Sequence, residues 1–170
     1  MTDFVSEFGR PLIAHRLRRL SDSFVDAYAD WLPLAGIEAP ARSMSTIILL
    51  RDEGPLGVTE LAARLRLSHP LMIKLVATLE KLGIVEAVPD PGDARRRPVA
   101  LTATGQAEAD RVAAALGAMD RAYARLFADA GIDLLRAVEG IEAALREESF
   151  GERLRSIAAA DPVEEEMTCA

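Results

Sequence analysis

Residues 58–102 read VTELAARLRLSHPLMIKLVATLEKLGIVEAVPDPGDARRRPVALT. The fold follows from how this stretch is punctuated. A short helix is expected from Thr59 to Leu65, with Thr59 as its N-cap. Ser68 caps a second helix, His69 to Leu82, and Pro70 lies in its first turn, where a missing N–H costs little. Gly83 closes that helix. Leu71, Leu75, Leu79 and Leu82 recur at helical spacing, with Ile73 and Val76 beside them. That leaves His69, Met72, Lys74 and Thr78 for the outer face. Ile84 to Val88 then reads as a strand, Pro89-Asp90-Pro91-Gly92-Asp93 as a turn, and Arg97 to Leu101 as the returning strand. So small a hairpin is not stable alone and must pack beside the preceding helices as a wing.

Working outward, helices flank this centre on both sides. Phe8, Leu12, Ile13, Leu17, Leu20, Phe24 and Tyr28 form one stripe between Val5 and Leu32, ended by Pro33 and Gly36. Pro40 keeps the connector extended, and a second helix spans Ser43 to Asp52. On the far side Thr102 caps a long helix through about Ala128. There Val112, Leu116, Met119, Tyr123 and Leu126 make a seam in steps of four and three, as in a coiled coil. Gly131 breaks it. A last helix covers Ile132 to Arg146, or onward to Ala160, and Asp161 to Ala170 reads as a disordered acidic tail. The expected class is mainly α: a winged helix–turn–helix at 37–101, flanked by dimerisation helices at 1–36 and 102–160. The outer stripes exceed what a small centre can cover, which points to a two-fold homodimer.

Composition narrows the function. A chain of 170 residues is about one domain. Half of it is hydrophobic and the mean hydropathy is +0.11, which excludes a disordered chain. The longest strongly apolar run, Ile47 to Leu50, falls far short of the roughly 20 residues of a membrane span. No signal peptide is visible, and the single cysteine, Cys169, suits a reducing compartment, so a cytoplasmic location is expected. Two histidines and one cysteine do not make a standard structural zinc site. No G-x-S-x-G, H-E-x-x-H, C-x-x-C or P-loop pattern occurs, so an enzyme is not expected.

The net charge of −7 argues against nucleic acid when taken as an average. Its distribution argues the other way. Residues 57–101 hold seven basic and five acidic side chains, for a net of +2, while the rest of the chain carries −9.

The runs Val58-Thr59-Glu60-Leu61-Ala62 and Leu79-Glu80-Lys81-Leu82-Gly83-Ile84-Val85 resemble the winged-helix core of the MarR family of bacterial transcriptional regulators. Asp93-Ala94-Arg95, Val99, Leu101-Thr102 and Gly105 are similar to the family's D-x-R…V-x-L-T wing signature at its usual spacing. Ala87, Val88 and Ala94 depart from it, standing where arginines are frequent in relatives. The resemblance implies a homodimer on a pseudo-palindromic double-stranded DNA operator. It also implies a ligand-responsive repressor that takes a small aromatic effector in a cleft, with no resident cofactor or metal.

Candidate residues follow from both readings. Ser68, His69, Leu71, Met72 and Lys74 lie at the leading end of the recognition helix, where base edges and phosphates are met. Arg95 is expected in the minor groove and Arg96 and Arg97 on phosphate, because arginine suits both. Asp93 would brace Arg95 rather than touch DNA. Arg64 and Arg66 flank the helix–turn–helix join. His15, Tyr28, Trp31, Arg42 and Met44 are candidates for an effector pocket, since aromatic walls and a guanidinium suit an aromatic carboxylate. A different reading stays open: a winged dimerisation or protein-interaction module without specific DNA binding.

Overall fold

The computed structural model describes residues 3–160 except 91, 94 and 95. The Asp161–Ala170 tail, Cys169, Ala94 and Arg95 lie outside the described residues. The chain divides into two compact units, Met1–Met119 and Asp120–Ala170.

The first unit begins with a helix in pieces rather than the one expected over Val5–Leu32. α1 (Phe4–Glu7) is followed by a 3-10 turn, Arg10–Leu12, and then α2 (Ile13–Trp31). The interruption falls where Gly9 takes φ +60° and Pro11 has no amide hydrogen to donate. A 3-10 turn, Leu32–Ala35, carries α2 to Gly36, which ends it in the left-handed conformation. α3 (Met44–Glu53) buries Met44, Thr46, Ile47 and Leu50.

α4 (Val58–Leu65) and α5 (His69–Lys81) form the helix–turn–helix pair. Gly57, not Thr59, is the N-cap of α4, and the Glu60 carboxylate accepts the Gly57 N–H at 3.0 Å. At its other end Arg66 sits in the left-handed region, and the Leu67 N–H reaches back to the Ala62 carbonyl. That turn aims α5 across α4. Ser68 is the N-cap of α5, as the sequence indicates.

The core-facing stripe of α5 is Met72, Val76 and Leu79, each buried, rather than the leucine series Leu71, Leu75, Leu79 and Leu82. Helical spacing fits both stripes. Packing against α4 and β1 selects the one centred on Met72. Leu71 and Leu82 are left about 40% exposed.

β1 (Val85–Ala87) and β2 (Val99–Leu101) pair antiparallel, with Val85 opposite Leu101 and Ala87 opposite Val99. Leu56 adds a bridge to Val99 on the other edge. β1 is shorter than the expected Ile84–Val88 at both ends, and β2 starts later than the expected Arg97 but ends at Leu101 as expected; toward the turn, Pro89 and Pro98 cannot donate to a ladder.

α6 (Ala103–Ala130) starts where the sequence places it. The Thr102 hydroxyl accepts the Gly105 N–H at 2.9 Å and donates to the Gly83 carbonyl at 2.6 Å. At Gly105 the backbones touch: a Cβ there would lie 1.8 Å from the Ile84 carbonyl oxygen. The Leu-Thr-x-x-Gly spacing is thus a strand end, a helix cap and a close approach. Val112, in the expected seam, is fully buried, whereas Leu116 is 43% exposed.

Glu108 on α6 is a buried carboxylate. One of its oxygens accepts the N–H groups of Glu38 and Ala39, each at 2.6 Å, and the other pairs with Arg111. It therefore ties the 37–40 connector to α6.

In the second unit the last helix is two. α7 (Leu134–Glu147) and α8 (Phe150–Ala160) are separated by Glu148, whose backbone is extended. Ser149 and Glu152 form a capping box that starts α8: the Ser149 N–H donates to Glu152 at 2.8 Å, and the Glu152 N–H to the Ser149 hydroxyl at 3.3 Å. The S-x-x-E signature for that break stands in the sequence. Neither helix buries a residue.

Candidate nucleic-acid interface

The leading end of α5 is open. Ser68, His69, Pro70, Leu71, Ile73 and Lys74 are all exposed. Met72 is a correction to the sequence reading: fully buried in the core, it is not placed to meet a base. Ile73 takes its place on the surface at 48% exposure. The signal for it was available, since a stripe through 72, 76 and 79 forces 73 outward.

Beside this helix a shallow groove of about 370 Å³ runs between the start of α4 and the wing, lined by Gly57, Val58, Thr59, Glu60, Arg96, Arg97 and Pro98. Arg97 is exposed, and no ion pair is found for it among the described residues. Arg96 is occupied within the protein, 2.9 Å from Glu60 and 3.5 Å from Asp90. Arg64 pairs with Glu53 at the end of α3. Asp93 is exposed and engaged within the protein. Arg95, its expected partner, is outside the described residues.

A cavity of about 400 Å³ lies in the first unit, behind the helix pair. Its walls are Val25 and Ala29 of α2, the 32–43 connector, and Leu75 and Thr78 of α5. Of the five residues expected in an effector pocket, Arg42 alone lines it. Its guanidinium reaches Asp22 at 2.6 Å. His15 is exposed on α2, and Tyr28 and Trp31 are half-buried against the core. Met44 is itself core. The aromatic rings face the packing because large apolar groups gain more from core contact than from a half-open cavity; the cavity walls are aliphatic instead.

Residues 40–96 match the model of the MarR family. The winged-helix segment is thus similar to the MarR family. The match begins at the connector before α3 and ends at residue 96 in the wing, so it covers the helix pair and the first part of the wing and stops before Arg97.

No curated protein matches the chain in sequence. Solved structures match in fold. A MarR-family transcriptional regulator from Rhodococcus sp. RHA1 is 24% identical over 88% of this chain and 99% of its own, at a TM-score of 0.54. The PcaV transcriptional regulator from Streptomyces coelicolor, in complex with its natural ligand, is 19% identical over 89% and 100%, at 0.59. MepR from S. aureus, solved as a DNA complex, is 18% identical over 85% and 97%, at 0.60. At these identities the likeness is one of fold, and it extends well beyond the segment that matches the family model.

Among the described residues no helix is long and apolar enough to cross a membrane. No group of three or more metal-ligating side chains is found there either.

Proposed function

We propose that this protein is a DNA-binding transcriptional regulator, a ligand-responsive repressor acting as a homodimer on a pseudo-palindromic operator. Each subunit lays the leading end of α5 in a major groove, with Ser68, His69, Leu71, Ile73 and Lys74 toward the DNA. The wing, through Arg95, enters the adjoining minor groove, and Arg97 meets phosphate.

The observation that carries this reading is local. A helix–turn–helix that matches the MarR family model presents the exposed start of its second helix next to an arginine-bearing hairpin, and residues 57–101, which hold both, are net basic within an acidic chain. Two-fold symmetry follows from the operator reading, since half-sites one helical turn apart need two recognition helices.

The cavity supplies a route for a ligand to act. A small aromatic acid seated against Val25, Leu32 and Ile37, with its carboxylate on Arg42, would displace Asp22 from that guanidinium. It would also touch Leu75 and Thr78, which belong to the recognition helix itself. Ligand occupancy would thereby shift α5 without any longer relay.

Fluorescence anisotropy against the DNA upstream of the protein's own gene tests the reading, across a salt series and with random-sequence competitor. Nanomolar specific binding with a steep salt slope is expected. Binding no tighter than to random DNA would leave a distant operator or a winged interaction module, and failure of the protein to be retained on DNA resin would decide for the module.

A further inference from the structure

Arg96 and Arg97 are neighbours on the wing with unlike surroundings. Arg97 has solvent around it. Arg96 reaches two carboxylates on different elements. One nitrogen donates to Glu60 of α4 at 2.9 Å, and another lies 3.5 Å from Asp90 at the wing turn.

Each acid does a second job. The Glu60 oxygen that takes Arg96 also accepts the Gly57 N–H at the start of α4. Asp90 accepts the N–H groups of Gly92 at 2.8 Å and Asp93 at 3.3 Å, which shapes the turn. The Arg96 N–H closes the loop on the Asp93 carbonyl at 2.9 Å. One guanidinium therefore joins the N-terminus of α4 to the tip of the wing.

We propose that Arg96 is a positioning residue of the DNA interface, which fixes the wing at the angle where its neighbours meet the groove. This rests on the DNA-binding reading above. Were Arg96 to leave for a phosphate, Glu60 and Asp90 would both face the DNA backbone unneutralised, on the flank of the groove that must approach it. Arg96 acts instead by pairing with both acids where they stand, which leaves one net negative charge there in place of two. Only arginine can do so, because its planar fork reaches two acids in different directions while a lysine ammonium makes a point contact.

The test uses the full chain with Arg96→Gln, Arg96→Lys and Glu60→Gln. Amide hydrogen exchange of Gly92 and Asp93 is followed without DNA, and operator affinity is followed across a salt series. Glu60→Gln should speed exchange at the wing turn by up to about fivefold, although Glu60 makes no contact there; this is the upper span expected for one exposed ion pair. Arg96→Lys should behave as Arg96→Gln does, so that charge without the fork gives no rescue. Arg96→Gln should weaken operator binding with an unchanged salt slope.

Unchanged exchange in Glu60→Gln would overturn the proposal. So would a salt slope reduced by about 0.9 per subunit in Arg96→Gln, the mark of a lost phosphate contact. A wild-type protein that cannot tell operator from random DNA would remove the DNA reading, while the exchange measurement would still decide whether Arg96 holds the wing.

Discussion

The winged-helix segment and the pair α7–α8 both carry apolar residues at helical spacing and meet opposite fates. In the first, Ile47, Leu61, Met72 and Leu79 are sealed from water. In the second, Leu135, Ile141 and Ile157 stand 58–62% exposed. Periodicity therefore announces a face and says nothing about what covers it. The first unit covers its faces with its own elements. The second is held by local chemistry, through an Asp133 side-chain cap on α7 and the Ser149–Glu152 box on α8.

The largest effect is expected where that comparison is most exposed to failure. On the homodimer reading, the stripe through Ile141 and Ile157 is covered by a second copy. Burying an isoleucine is worth about 2 kcal/mol, so replacing both with aspartate should cost about 8 kcal/mol across the four side chains of a two-fold pair. Sedimentation equilibrium should show a wild-type dimer and a monomeric Ile141→Asp/Ile157→Asp variant. A variant that stays dimeric would place the partner surface elsewhere on the chain.

Glycines sharpen the same contrast. At Gly105 a methyl group would collide with the backbone of Ile84, and Gly105→Ala should cost about 3 kcal/mol. At Gly140, inside α7, a Cβ meets nothing within 4 Å. Gly140→Ala should gain about 0.5–1 kcal/mol from helix propensity. Thermal unfolding should thus move down by about 9 °C for the first and up slightly for the second. Equal responses would mean that the two units are not built differently.

Glu108 and Glu142 make the corresponding pair of acids. Glu108→Ala leaves two connector N–H groups without their acceptor, at a cost of about 2 kcal/mol and about 6 °C. Glu142 is exposed on α7, and Glu142→Ala should leave the melting temperature in place. A shift of the same size at both would deny Glu108 its role as the connector's anchor.

Much of this was legible before any coordinates. The elements of the centre, the Ser68 cap, Thr102 and the hairpin came from turn chemistry and short-range rules, which act within a few residues. Three things were not. Two stripes on α5 both satisfy helical spacing, and only packing against α4 and β1 chooses the one that buries Met72 and exposes Ile73. The cavity wall was missed because Tyr28 and Trp31 look like ligand-binding aromatics, yet they gain more by packing on the core. The clamp of Arg96 joins residues 36 apart in sequence, and a basic triplet reads as a uniform patch until Glu60 is brought beside it.

The smallest effect concerns the cap that stands in for a core in the second unit. The Ser149 hydroxyl, donating to Glu152, holds that carboxyl below its ordinary range. A carboxylate favoured in the folded state adds stability at pH values above its unfolded pKa. That contribution is lost as pH falls through the lowered folded value. The loss should therefore be confined to acid and to α8, with the winged-helix segment unaffected. An NMR titration of Glu152 should show the lowered midpoint, and Ser149→Ala should return it to that of an ordinary glutamate, with fraying of the first turn of α8. An unchanged midpoint in that variant would mean that the helix start, rather than the serine, sets the charge of Glu152. The α7–α8 break would then rest on the extended backbone at Glu148 alone.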